Sequence, residues 1–194
     1  MSALQTPVSP FEALPAEIIL KVNSFCRFRD AARLARCNKK LYNLLITEIY
    51  KQTKAKGWFP LTFAACTNNL HTFHLCVQAG APVDHYQKKD VGYHRWNNES
   101  FYYIGGWRPL REAIYRAKIE SVKWLLSHGA VPDTTPEESV GRSAIASPLE
   151  FTFRLGQSNY NNRTIARVIC IALLDAGADL TVLSAYVRQE IINM

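Results

Sequence analysis

Cys66, His71, His74 and Cys76 are the residues whose types and spacing most invite chemistry, since two thiols and two imidazoles are a zinc ligand set. Zinc needs its four ligands to converge tetrahedrally. A helix over this stretch puts Cys76 on one stripe with Leu70 and Phe73, where a small buried hydrophobe is sufficient. No metal is therefore expected. No Gly-rich phosphate loop, H-E-x-x-H or G-x-S-x-G occurs, and Glu, His and Ser stand singly. Without two convergent groups there is no basis for catalysis, so the expected protein is not an enzyme and needs no cofactor.

Binding chemistry is better represented. Residues 85–107 read HYQKKDVGYHRWNNESFYYIGGW and hold Tyr86, Tyr93, Trp96, Phe101, Tyr102, Tyr103 and Trp107. Interaction hot spots are enriched in Trp, Tyr and Arg, so the first six are candidate contacts to a protein substrate. Two alternatives stand beside this. The segment can fold back and cover the body of the protein with its rings, or its aromatics can stack on single-stranded nucleic acid with Lys88, Lys89 and Arg95. No dedicated nucleic-acid fold accompanies the last of these, which is disfavoured.

The elements that position such a segment follow from an internal repeat. Pro60-Leu61, Pro109-Leu110 and Pro148-Leu149 are each followed by a Gly-Ala pair, at Gly80-Ala81, Gly129-Ala130 and Gly177-Ala178, and then by Asp84, Asp133 and Asp179. The distance from proline to glycine is 20 residues in the first two copies and 29 in the third. Proline suits the first turn of a helix, where its missing N–H is an orphan in any case. Ala64 and Ala113 lie one turn on and permit close approach of a neighbour. A second helix carries Leu70, Phe73, Cys76 and Val77, then Ile119, Val122, Leu125 and Leu126, before glycine ends it in the left-handed conformation. One helix pair cannot bury its apolar face alone, so the copies must stack.

These marks resemble the ankyrin repeat, with its T-P-L-H-x-A opening and G-A close. The resemblance implies an all-α solenoid of about three repeats over residues 57–181 (57–84, 107–133 and 146–181), with 85–106 as an inserted loop and 182–194 as a C-terminal capping helix. The threonine position holds Phe59, Arg108 or Ser147, and the histidine position Thr62, Arg111 or Glu150. The extra length of the third copy is expected as a polar insertion between its helices, around Gly156 to Arg163.

Residues 1–11 are expected to be a flexible N-terminus, and 12–50 a three-helix unit. Ile18, Ile19, Val22, Phe25 and Cys26 give one apolar stripe; Asp30 can cap a second helix; Leu41, Leu44, Leu45 and Ile49 mark a third. About 40 residues is the lower limit of independent stability, so the unit should lean on a partner or on the first repeat. Leu14-Pro15, Glu17-Ile18-Ile19, Asp30, Leu34 and Lys40-Leu41-Tyr42 are similar to the F-box. Asn23 and Cys26 stand where that family usually has larger aliphatics, and Asn38 where cysteine is common.

A three-helix F-box-like unit followed by a short ankyrin solenoid resembles a combination common in fungal proteins. The resemblance implies a substrate receptor of an SCF-type ubiquitin ligase. Leu14, Pro15, Ile18, Ile19 and Leu34 would then dock on the Skp-type adaptor, and the repeats would select an unknown protein substrate. A plain interaction scaffold is the alternative. Residues 21 to 56 hold ten Lys or Arg against Asp30 and Glu48, within a formal charge of +7, and so favour an acidic partner. The five cysteines are odd in number, and no secretory or membrane-spanning segment is recognised, so a cytoplasmic or nuclear location is expected. No homo-oligomer is expected.

Overall fold

The computed structural model describes residues 11, 13–88, 94–96, 99–101, 106–139, 146–158 and 160–193. Helix α1 (Ala16–Phe25) starts behind Pro15, followed by α2 (Phe28–Ala35) and α3 (Lys39–Lys51). Asn38 caps α3, its side-chain oxygen accepting from the Leu41 amide at 2.8 Å. The residue that departs from the F-box pattern is thus a good helix-starting residue. Asp30 does not cap α2, which begins two residues earlier behind Arg27. Asp30 lies in the first turn instead, where its charge opposes the helix dipole favourably.

Three helix pairs follow: α4 (Phe59–Thr67) with α5 (Leu70–Gln78), α6 (Pro109–Tyr115) with α7 (Ile119–Ser127), and α9 (Pro148–Ser158) with α10 (Tyr160–Asp175). The first helices α4, α6 and α9 form one layer, and α3, α5, α7 and α10 line up as the other. A short α8 (Pro136–Ser139) precedes α9, and α11 (Ala185–Ile192) closes the chain against it. The expected all-α repeat solenoid is what forms, with one addition. Inside the 85–106 insertion, β1 (His94–Trp96) pairs antiparallel with β2 (Glu99–Phe101).

The repeated glycines do the same work in every copy. Gly80, Gly129 and Gly177 have φ of 92°, 87° and 90°. The following alanine amide then reaches back to close the helix, Ala81 to Cys76 O at 2.9 Å, Ala130 to Leu125 O and Ala178 to Leu173 O at 3.0 Å. The aspartates tie one repeat to the next. Asp84 Oδ2 accepts from the Val131 amide at 2.7 Å, and Asp133 Oδ1 from the Asp179 amide at 3.1 Å. Asp179 accepts from Thr181 instead, and those hydrogen bonds hold its carboxyl below the usual range.

The third copy differs from expectation. Its extra residues do not form a polar insertion loop; they lengthen both helices, to 11 residues in α9 and 16 in α10, against 7 and 9 in the α6–α7 pair. Gly156 is a buried helical residue.

One large core runs through the stack, from Tyr50 and Trp58 through Phe73, Leu110, Leu125 and Leu173 to Leu183 and Ile191. Phe73 and Trp124 stack across repeats at 4.6 Å, an arrangement worth about 0.5–1.5 kcal/mol beyond the buried area. Val77, on the expected apolar stripe of α5, is 37% exposed. A smaller core holds Ile19, Ala31, Ala35, Leu41, Leu45 and Ile49. Phe28 joins the two cores, meeting Tyr50 at 5.6 Å and Phe59 at 5.1 Å edge-on. The N-terminal unit therefore does lean on the first repeat. Among the described residues no helix is long and apolar enough to cross a membrane.

Candidate interaction surfaces

Helix α1 presents two unlike faces. Ile19 and Asn23, one turn apart, point inward and are 1% and 0% exposed. Leu14, Ile18, Val22 and Phe25 lie on the other side, 38%, 48%, 39% and 77% exposed. The apolar stripe read from sequence is thus split: Ile19 is core, Cys26 packs half-buried against it, and Ile18, Val22 and Phe25 face outward. Of the residues named for docking, Leu14, Pro15 and Ile18 are accessible, Leu34 is half-buried, and Ile19 is enclosed. Ile19 can orient a docking helix, but it cannot touch a partner.

The aromatic insertion is clamped at its base. The Gln87 amide donates to Trp107 O at 3.1 Å, and the Gly106 amide donates to Gln87 O at 2.6 Å. The Gln87 side chain is buried under Gly57, where an added Cβ would stand 3.1 Å from Oε1. Trp107 packs edge-on against Tyr115 at 5.3 Å and Phe151 at 5.7 Å, joining the insertion to α6 and α9. Tyr115 remains 46% exposed, with the Arg116 guanidinium 5.8 Å from its ring. Tyr86 is half-buried. Trp96 and Phe101 lie in the paired strands. Tyr93, Tyr102 and Tyr103 lie outside the described residues.

Beneath this aromatic cluster lies an ion network that the sequence did not announce. Arg108 is 1% exposed and donates to Glu138 Oε2 at 2.9 Å, Asp84 Oδ1 at 2.8 Å and the Val131 carbonyl at 3.0 Å. Arg111 donates to Glu138 Oε1 at 3.0 Å and to the Ala146 carbonyl at 3.0 Å. Glu138 is wholly buried and also accepts from the Thr135 amide at 3.3 Å. Arginine stands at the threonine and histidine positions of the repeat motif because α8 brings one carboxylate to bridge both. The available signal was the T-x-x-E capping pattern at Thr135 and Glu138 beside two motif arginines.

The four candidate zinc ligands have separate neighbours. His71 hydrogen-bonds Tyr42 at 3.2 Å, His74 packs on Trp124, and Cys66 approaches Glu112 at 3.8 Å. Cys76 lies in the core. Burial pushes the Cys66, Cys76 and Cys170 thiols up to about 12. They are protonated at neutral pH and poor nucleophiles. Among the described residues no group of three or more His, Cys, Asp or Glu side chains could hold a metal.

Compared with known proteins, residues 29–136 match the family model of ankyrin repeats (3 copies). The match begins inside α2, where the sequence marks place the first repeat at 57, and ends before α9. Both offsets have a structural basis. The α2–α3 pair packs beside α5 much as a repeat would, and α9–α10 is stretched beyond the family period although it continues both layers. No curated protein and no solved structure matches the chain.

Proposed function

The chain belongs to the ankyrin-repeat family, and from that premise we propose that it is a non-catalytic adaptor, the substrate receptor of an SCF-type ubiquitin ligase. Ankyrin repeats are protein-interaction modules, so protein partners follow from the family itself. The finer assignment rests on the F-box-like sequence of residues 12–50 and on one structural observation. The apolar face of Leu14, Ile18, Val22 and Phe25 is exposed, while Ile19, with Leu20 packed beside it, anchors the helix. Such a face next to Pro15 suits docking on a Skp-type adaptor, because exposed contiguous apolar residues mark interaction sites. The repeats, with Tyr115, Tyr86 and the insertion from 85 to 106, would hold the protein substrate. The five free cysteines suit a reducing cytoplasm or nucleus.

A plain scaffold is the second reading, favoured by the family match that starts at Arg29. On that reading α2 and α3 are one more repeat and α1 only covers it. Co-purification with a Skp-type adaptor separates the two. The expected result is capture by the wild type and loss of capture in the double variant Ile18→Asp, Phe25→Asp, with unchanged thermal unfolding. No capture by the wild type, or full capture by the variant, overturns the receptor reading.

A further inference from the structure

Helix α2 and its C-cap residue present Arg29, Arg33 and Arg36 at helical spacing, and these overlook a groove of about 260 Å³. Tyr42 and Ile46 of α3 and Leu75 of α5 line its floor. Among the described residues no carboxylate lines it. Arg33 meets Asp30 at 3.7 Å, but both side chains are more than half exposed, so the pair is weak and readily exchanged. Among the described residues no ion pair involves Arg29 or Arg36. His71, hydrogen-bonded to Tyr42, closes one wall.

We infer that this groove binds a short acidic peptide segment of a protein partner, seating one apolar side chain on the Ile46–Leu75 floor and flanking carboxylates on the three guanidinium groups. The volume lies below the ~300–1,000 Å³ of small-molecule pockets, so it suits one peptide side chain better than a metabolite. Guanidinium forks match carboxylates geometrically. The chain's charge of +7 draws an acidic segment in from a distance. The inference stands apart from adaptor docking, because none of Leu14, Pro15, Ile18, Ile19 and Leu34 lines the groove.

The test uses the full chain and a fluorescein-labelled synthetic peptide, Asp-Glu-Asp-Phe-Glu-Asp, followed by fluorescence polarisation at low salt. Saturable binding is expected. It should weaken about tenfold in the double variant Arg29→Gln, Arg36→Gln, the size expected from two charge contacts. It should also weaken when glycine replaces the peptide's phenylalanine. The charge-matched control Lys123→Gln, Arg154→Gln and the α1 variant Ile18→Asp, Phe25→Asp should bind as wild type, with circular dichroism confirming equal helicity throughout. Equal losses in the two glutamine pairs would reduce the effect to net charge and overturn the site. No loss in the groove pair overturns it as well. Tighter binding of single-stranded RNA, lost in the groove pair, would assign the groove to nucleic acid instead of a peptide. Loss of adaptor capture in the α1 variant with peptide binding intact would separate the two surfaces.

Discussion

Asn23 and Glu138 are both completely buried, yet one sits in a finished environment and the other does not. Glu138 bridges two arginines and accepts a backbone amide, so each carboxylate oxygen is occupied. Neither amide atom of Asn23 meets a hydrogen-bond partner among the described residues. The repeat junction pairs its buried charges, Arg108 and Arg111 with Glu138. The α1 region buries an unsatisfied amide and turns Leu14, Ile18, Val22 and Phe25 outward. The contrast distinguishes a surface that is complete on its own from one shaped for company. Folding alone explains the first; the second carries the apolar face that the proposed adaptor docking would use.

The largest expected effect tests the finished side. Glu138→Ala leaves Arg108 and Arg111 without their shared carboxylate and should cost about 3–5 kcal/mol, read from urea unfolding. A loss near zero would mean that the network is not holding the junction. Adjacent isoleucines test the split of α1. Ile19→Ala should cost about 2–5 kcal/mol, whereas Ile18→Ala should cost under ~0.5 kcal/mol. Equal costs would erase the distinction between the two faces. On the unfinished side, Asn23→Leu should stabilise the protein by about 1–2 kcal/mol, since it removes the desolvated amide and adds apolar burial. A destabilised variant would show that Asn23 has a partner after all. A smaller gain qualifies the comparison, because the stack is not free of strain. Asn68 and Ala117 occupy the same turn in successive repeats at φ of 56° and 53°. Asparagine tolerates this conformation and alanine does not, so Ala117→Gly should gain about 1 kcal/mol in thermal unfolding.

The sequence was most legible where a residue type is required by the backbone. Proline at helix starts, glycine at φ near 90° and aspartate between repeats recur because each copy must solve the same hydrogen-bonding problem. It was less legible where a partner lies far along the chain. Arg108 and Glu138 are 30 residues apart, and nothing local reveals that they meet. The α1 stripe misled in another way. Periodicity shows that residues share a face, but which face has a neighbour depends on packing, and Ile19 is enclosed where Ile18, Val22 and Phe25 are not. The polar run from Gly156 to Arg163 resembles a loop in composition, yet it prolongs two helices that already pair along their length. Of the candidate substrate contacts, Tyr93, Tyr102 and Tyr103 were legible only as composition.

The long α9–α10 pair has a further consequence. At about 1.5 Å per residue, the 16-residue α10 outreaches the 9-residue α7 by roughly 10 Å. This excess lies toward the turn between α9 and α10. The base of the insertion, where Gln87 pairs with Trp107, enters the stack where α6 begins. A uniform array offers a ligand several equivalent positions one repeat apart. Here each repeat has its own outline, so a partner slid along by one step would meet a protrusion or a gap. For a partner lying along the array, the irregularity would serve as a keyway that admits a single register.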